Sequence, residues 1–371
     1  MGKIQASSAP ISRDAPDSSR SLEWAQFCRA KLPSYRKILL TGASGRLGRH
    51  VLAALLARKE KVRAIVRPGS MAKLPRGVER FVWDLSSDPL PYTAFAGVDR
   101  AIHLAGLVGS RPWRELELSN AVATRNLVSS CPQKLSKLVL ASSISIYGEY
   151  RGQTVDEEFR PKTESPYGKS KLAAEGEARA HRRGIPTAML RFGMIYGPGF
   201  EQGYFDVFRF LEKGRMRVFG DGQNRIPLVH ADDAARAVLA ALGAHMVSCR
   251  EYNIVGEEAP TQEELLAMAA KALNVPAPTR HSSLLLVQSA SAVGGLLSAL
   301  GLAAPLPFDA ENIRQLTLDR AYSTERARRE LGFSAKVKLA AGIKQMAGEY
   351  RKKKRGKDGQ WRQTARKGMT G

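Results

Sequence analysis

The sequence predicts a doubly wound α/β fold, a parallel sheet with helices on both faces, followed by a smaller C-terminal substrate-binding subdomain. Three observations carry this expectation. A buried apolar run ends in a glycine turn that opens an amphipathic helix, KILLTGASGRLGRHVLAALL; short apolar strands then alternate with helices as far as LRFGMIYGP; and from about Phe200 the alternation loosens. Strands that alternate with helices close as a parallel sheet, because each crossover lays a helix against a sheet face.

Taken in order, residues 1–35 are rich in Ser, Pro and Arg, with only SLEWAQFCRAKL as a short helix before Pro33, and read as a flexible extension. MGKIQASSAP has no apolar run after its basic start, unlike a cleavable secretory signal, and Ala6 stands where a myristoylation signal requires Ser or Thr. From Arg36 the chain reads strand, glycine turn, helix, strand; FVWDL, RAIHLAG, KLVLASS and TAMLRFGMIYGP continue as strands, with helices at NAVATRNLVSSC and YGKSKLAAEGEARAHRRG. Residues 36–198 are expected to form the dinucleotide-binding domain. Residues 199–346 supply mainly the substrate subdomain, with 226–256 returning to the sheet, and 347–371 a basic disordered tail. The uncharged apolar stretch from Ser282 to Phe308 is long enough for a membrane span. Gln288, the serines and Gly294-Gly295 lower its hydropathy, so it reads as packed or pocket-lining helices suited to a hydrophobic substrate or a membrane surface.

Of the net charge of +23, the C-terminus from Arg351 carries nine Lys or Arg against one Asp, and the rest of the excess is spread thinly along the chain. Such a run is either a solvated tail or a contact for an anionic membrane or nucleic acid. The three cysteines, Cys28, Cys131 and Cys249, form neither a disulfide framework nor a metal-binding pair, so the expected location is the cytoplasm, with a peripheral membrane position left open by the tail; no bound metal is expected.

The turn from Thr41 to Gly48 suits a pyrophosphate. Gly42 permits the tight turn, Gly45 lets backbone approach the anion, Gly48 lets the helix pack closely, and the helix N-terminus offers free N–H groups; Ser44, Arg46 and Leu47 complete the cofactor-facing set. At the end of the second strand an NAD enzyme places Asp or Glu for the ribose hydroxyls. Here Val66 is followed by Arg67, which with Lys73 could pair with a 2′-phosphate, favouring NADP over NAD. Asp84, followed by Leu85, is placed for the adenine, although a loop-capping Asp would look the same.

Tyr167 and Lys171 lie four residues apart on one helix face. An ammonium beside a phenol stabilises phenolate, so the phenol can exchange a proton with a carbinol oxygen, and Ser143 at the end of the preceding strand can bond the same oxygen. With the glycine turn, IHLAG, SSISIYG, LRFGMIYGPG, GDGQNRIPLVHADDAA and AYSTERARRELGF, the chain from about Lys37 to Met346 resembles the extended short-chain dehydrogenase/reductase, or NAD-dependent epimerase/dehydratase, family. The resemblance implies a Rossmann sheet, a Tyr167 acid/base, a Lys171 that also binds the nicotinamide ribose, and a Ser143 that polarises the substrate oxygen. It also implies that Ala105, Gly106 and Phe192 line the cofactor and that two helices pair in a homodimer. Asn120 is a further cofactor-site candidate, and for Asn120, His103 and His230 structural hydrogen bonding is an equal alternative.

Sugar-nucleotide dehydratases of this family follow the catalytic Ser or Thr with Asp-Glu, where this chain has Ile144-Ser145, so dehydration is disfavoured. VRAIVRP and the absence of an Arg-Asp pair before His230 are nearer the dihydroflavonol-reductase and 3β-hydroxysteroid-dehydrogenase branch. The expected activity is therefore hydride transfer between NAD(P) and a secondary alcohol or ketone. The alternative is a nucleotide-sugar epimerase holding NAD tightly, in which Arg209, Arg215, Arg217 and Arg225 would grip a diphosphate; a non-catalytic dinucleotide-binding regulator is the third reading.

Overall fold

A computed structural model describes residues 37–201, 203–245, 248–283 and 316–367. The expected N-terminal extension and nearly all of the apolar 282–308 stretch lie outside these residues. Apolar runs become the strands of one sheet: β1 (Lys37–Thr41), β2 (Lys61–Val66), β3 (Glu79–Val82), β4 (Val98–His103), β5 (Lys137–Ser143), β6 (Thr187–Phe192) and β7 (Cys249–Ile254). Their spatial order is β7-β6-β5-β4-β1-β2-β3 and every neighbouring pair is parallel. The chain winds outward from β1 to β3, then returns to place β4 on the other side of β1. That reversal leaves a crevice beyond the carboxyl ends of β1 and β4, where a dinucleotide can lie.

The two-residue period of a strand feeds two cores. Ile38 and Leu40 join one apolar cluster, whereas Leu39 joins the other. The first is closed by α1 (Arg46–Ala57), α5 (Ala231–Gly243) and α7 (Glu325–Leu331); the second by α2 and α3 (Pro166–His181). Helix α2 is one run built from Trp113–Leu116, a π-helical turn Glu117–Val122, and Ala123–Ser130. A third cluster, outside the sheet, is formed by α4 (Tyr204–Glu212), α6 (Gln262–Leu273) and α8 (Leu339–Lys367) around Met216, Val218, Ile226 and Leu228. Within 226–256, β7 pairs with β6, while Leu228–His230 pairs with Met194–Tyr196 in a separate two-stranded sheet.

The expectation of a disordered tail from residue 347 is corrected. Helix α8 runs through to Lys367, and Ile343, Met346, Ala347 and Tyr350 are buried at the i, i+3, i+4, i+7 spacing of a helical stripe that crosses the expected boundary. Tyr350 donates to Glu212 at 2.8 Å, Lys353 pairs with Glu201 at 2.6 Å and Lys354 with Glu212 at 2.8 Å, so the first cations of the basic run are docked on the fold. Among the described residues no helix is long and apolar enough to cross a membrane.

Candidate active site

The glycine turn lies between β1 and α1 at the crevice. Gly42 has φ of +71°, and a Cβ there would come within 2.7 Å of the Leu104 carbonyl carbon and the Ala105 nitrogen, so the turn and the loop after β4 close on each other. A Cβ on Gly48 would lie 1.9 Å from the Gly42 carbonyl oxygen, so α1 packs onto its own turn. Gly45 caps α1 with no side-chain bond and no acidic residue follows in the first turn, leaving the N–H groups and the positive end of the helix to an anion. These features make a phosphate cradle, and a dinucleotide fits it.

A directed chain of hydrogen bonds holds the loop after β4. The Ala105 N–H donates to Thr41 Oγ1, which lies 2.7 Å from His103 Nδ1; His103 Nε2 lies 3.1 Å from Thr124 Oγ1, which donates to the Asn120 carbonyl. Since Thr124 spends its proton on Asn120, His103 carries its own proton on Nε2. Burial, aided by the Lys171 charge, pushes His103 down to about 3, so it is neutral and structural. The Asn120 side chain receives the Leu107 N–H and donates to the Leu107 carbonyl and to Ser170 Oγ at 2.9 Å, so both of its amide protons are spent inside the protein. It ties the crevice loop to α3.

Ser165 caps α3 by accepting from the Gly168 N–H at 3.0 Å, and Pro166 opens the helix. Gly168 lets α3 approach the turn that follows β5: a Cβ there would lie 2.2 Å from Thr163 Oγ1 and 2.5 Å from the Ser145 carbonyl oxygen. Tyr167 is thereby brought beside Ser143. Burial raises the Tyr167 phenol, and the neighbouring Ser143 hydroxyl and the charge of Arg46 oppose that rise; the Ser143 hydroxyl itself donates to Ser145 Oγ at 3.1 Å. Ser143 also takes the Ser145 N–H at 3.1 Å. Lys171 is buried one turn along α3, and Gly106 lies so that a Cβ on it would be 3.9 Å from Lys171 Nζ. Burial lowers Lys171 to about 8, with Glu175 opposing.

Beneath Lys171 a charged network is sealed in the core. Arg191 donates from Nε and Nη2 to both Glu175 oxygens at 2.9 and 2.8 Å and from Nη1 to Tyr147 at 2.6 Å, while Ser142 donates to Glu175 at 2.6 Å. Burial opposes ionisation of Glu175, but the Arg191 fork outweighs it and holds the carboxyl below its ordinary value.

The remaining expected residues divide by placement. Ser44 and Gly45 are exposed at the turn, Arg67 is exposed at the end of β2, and Leu47 is half-buried against the first core. Leu85 and Phe192 are buried in the cores; the Leu85 carbonyl accepts from Asn126 at 2.9 Å, and Phe192 pairs with Ser143 across β5 and β6. Asp84 accepts from the Ser86 N–H at 2.9 Å and the Ser86 hydroxyl at 2.6 Å, the loop-capping geometry, and that hydroxyl, helped by Arg67, keeps it below its ordinary value. His230 caps α5 by accepting from the Asp232 N–H and lies 3.2 Å from Gln345, so it too is structural.

Sequence reasoning missed the latch between α1 and the loop after Tyr196. Arg46 stacks on Phe200 at 5.2 Å, and His50 places Nδ1 2.9 Å from Asp232 and Nε2 2.8 Å from the Pro198 carbonyl. Both nitrogens face acceptors, so the imidazolium satisfies both and neutral imidazole only one. The Asp232 hydrogen bond, against burial, raises His50 above 6.5. A histidine raised on folding adds stability that is complete below its unfolded value and is lost as pH rises through the folded one. We expect His50→Ala to cost on the order of 0.5–1 kcal/mol in urea unfolding at acidic pH, since Asp232 is largely solvent-exposed, and less at alkaline pH. An equal loss at both would remove the imidazolium from the latch.

Known proteins share this architecture. A 2-alkyl-3-oxoalkanoate reductase of Stenotrophomonas maltophilia is 27% identical over 328 residues, 84% of this chain and 98% of that protein. A bovine (Bos taurus) sterol-4-alpha-carboxylate 3-dehydrogenase, decarboxylating, is 27% identical over 67% of this chain and 73% of its own length. The structure of MoeE5 in complex with UDP-glucose and NAD superposes with a TM-score of 0.67 at 26% identity, covering 86% of this chain and 99% of that one. Residues 38–255, more than half of the chain, match the model of the NAD dependent epimerase/dehydratase family, and the protein is an enzyme of that family.

Proposed function

We propose that this enzyme exchanges a hydride between a nicotinamide dinucleotide and a secondary alcohol or ketone, with Tyr167 as general acid/base, Ser143 as the oxygen-binding hydroxyl and Lys171 as ribose ligand and charge partner. The observation that carries the reading is the placement of Tyr167 at the head of α3, with Lys171 buried one turn along the same helix beside Gly106 and with Ser143 at the end of β5. The dinucleotide, when bound, supplies or accepts the hydride. In the reductive direction Ser143 orients the carbonyl oxygen and Tyr167 donates its proton to that oxygen; in the oxidative direction Tyr167 takes the proton back. The buried Lys171 ammonium would favour the phenolate form, and the spent side chain of Asn120 would hold the loop that Lys171 faces.

Arg67 supports NADP as the preferred cofactor, because it is an exposed cation just after β2, where an NAD enzyme places Asp or Glu for the ribose hydroxyls. Arg67→Ala is expected to weaken NADPH binding roughly 10–100-fold and to leave NADH nearly unchanged. The similarity to a protein whose structure is a complex with UDP-glucose and NAD favours the second reading, an epimerase. Denaturing the purified protein and identifying any released nucleotide separates the two. Stoichiometric NAD would favour the epimerase; protein that arrives empty and binds NADPH in preference to NADH would favour the exchanging reductase.

A further inference from the structure

The arginines that could have gripped a diphosphate do not face a common pocket. Arg209 pairs with Asp206 on its own helix, and Arg225 donates from Nε and Nη2 to both Asp319 oxygens at 2.9 Å. Arg215 and Arg217 are exposed, while Met216 and Val218, which alternate with them, are buried. Between α4, α6 and α8 lies instead a narrow apolar cavity of about 50 Å³, walled by residues that include Met194, Val207, Phe208, Met216, Ile226 and Leu265.

Among the described residues, only Tyr204 and Gln262 bring polar side-chain atoms to that wall, and both are committed. The Tyr204 hydroxyl donates to the Ile195 carbonyl, while the Gln262 amide accepts from the Phe219 N–H at 2.6 Å and donates to Asn224 and to the Leu316 carbonyl. A diphosphate placed here would lose its water with no cation in return, whereas each methylene would gain by leaving water. The strand register links the cavity to the candidate site: Met194 stands two residues beyond Phe192, the strand partner of Ser143.

We propose that this cavity takes the aliphatic or otherwise apolar chain of the substrate whose oxygen lies at Ser143 and Tyr167, so that the enzyme acts on a lipid-like oxo or hydroxy compound. The inference rests on the reductase reading. It is tested on the full-length protein with a homologous series of straight-chain methyl ketones, from butanone to tridecanone. Binding is measured by calorimetry, turnover by NADPH oxidation, and UDP-glucose is the comparison ligand. Affinity should rise about threefold to fourfold per added methylene until the cavity is full. Val207→Trp or Leu265→Trp, at half-buried positions of the wall, should flatten that slope.

Affinity independent of chain length would overturn the proposal, as would a slope that neither variant changes or binding of UDP-glucose that either variant abolishes. If the chain's own apolar stretch 284–308 fills the space, affinity will not depend on ketone length and the proposal is overturned in the same way. Length-dependent binding without any turnover would remove the reductase reading and keep the cavity's ligand class; turnover without length dependence would do the reverse.

Discussion

Tyr167→Phe is expected to lower kcat by about 10²–10⁴-fold, the usual range for losing a positioned general acid/base, while NADPH affinity stays within a few-fold of the parent. The side chain keeps its ring and its place at the head of α3, because the Ser165 cap and the close approach allowed by Gly168 do not involve the phenol oxygen. Only the proton is lost. Single-turnover NADPH oxidation with saturating ketone separates this from a binding defect. If kcat is unchanged, the proton comes from elsewhere and the assignment of Tyr167 fails. The parent should also show an alkaline limb, since Lys171, lowered by burial to about 8, gives up its ammonium above that value and with it the charge that favours phenolate.

Arg191→Met should have the largest effect on stability. It removes both bonds that Arg191 makes to Glu175 and leaves a carboxylate in the core with Ser142 and the half-exposed Arg179 as partners. Breaking a buried pair from one side costs about 3–5 kcal/mol, and urea unfolding at neutral pH should register that loss. The double variant Arg191→Met with Glu175→Gln should recover part of it, because no uncompensated charge remains. Glu175 is held below its ordinary value in the fold, so its contribution is present above the unfolded carboxyl value and is lost as pH falls through the folded one. The single variant should therefore lose less on acidification than the parent does. A double variant no better than the single would show that packing, not charge, dominates at this position.

What is legible in the sequence is local. The turn after β1 announces itself because three glycines sit at a strand-to-helix junction, and Ser143, Tyr167 and Lys171 are visible because a strand end and a four-residue helix spacing place them without long-range help. Ser165-Pro166 before Tyr167 is a readable cap, and Glu175, four residues beyond Lys171, a readable neighbour. The His50 latch is not readable, because its partners Pro198 and Asp232 are brought together only after the sheet has closed. The same holds for Arg225, whose partner Asp319 arrives from the other side of the apolar stretch. The tail reads as disordered because its charge density masks a stripe of apolar residues that continues past the expected boundary; composition averaged over a window cannot see a face. Asp84 has two readings with one sequence signature, and the observed bonds to Ser86 are those of the loop cap.

The strand order has a consequence for how the protein is made. β3, β2, β1, β4 and β5 are complete in the first part of the chain, so five neighbouring strands can assemble while the rest is still on the ribosome. During that interval the outer edge of β5, which ends in Ser143, has no partner until β6 is synthesised, and β7 arrives later still. The nascent enzyme therefore carries an open, apolar strand edge that ends at Ser143. Slowing synthesis between β5 and β6 should expose that edge to chaperones or to a second nascent chain, whereas slowing it after β7 should not.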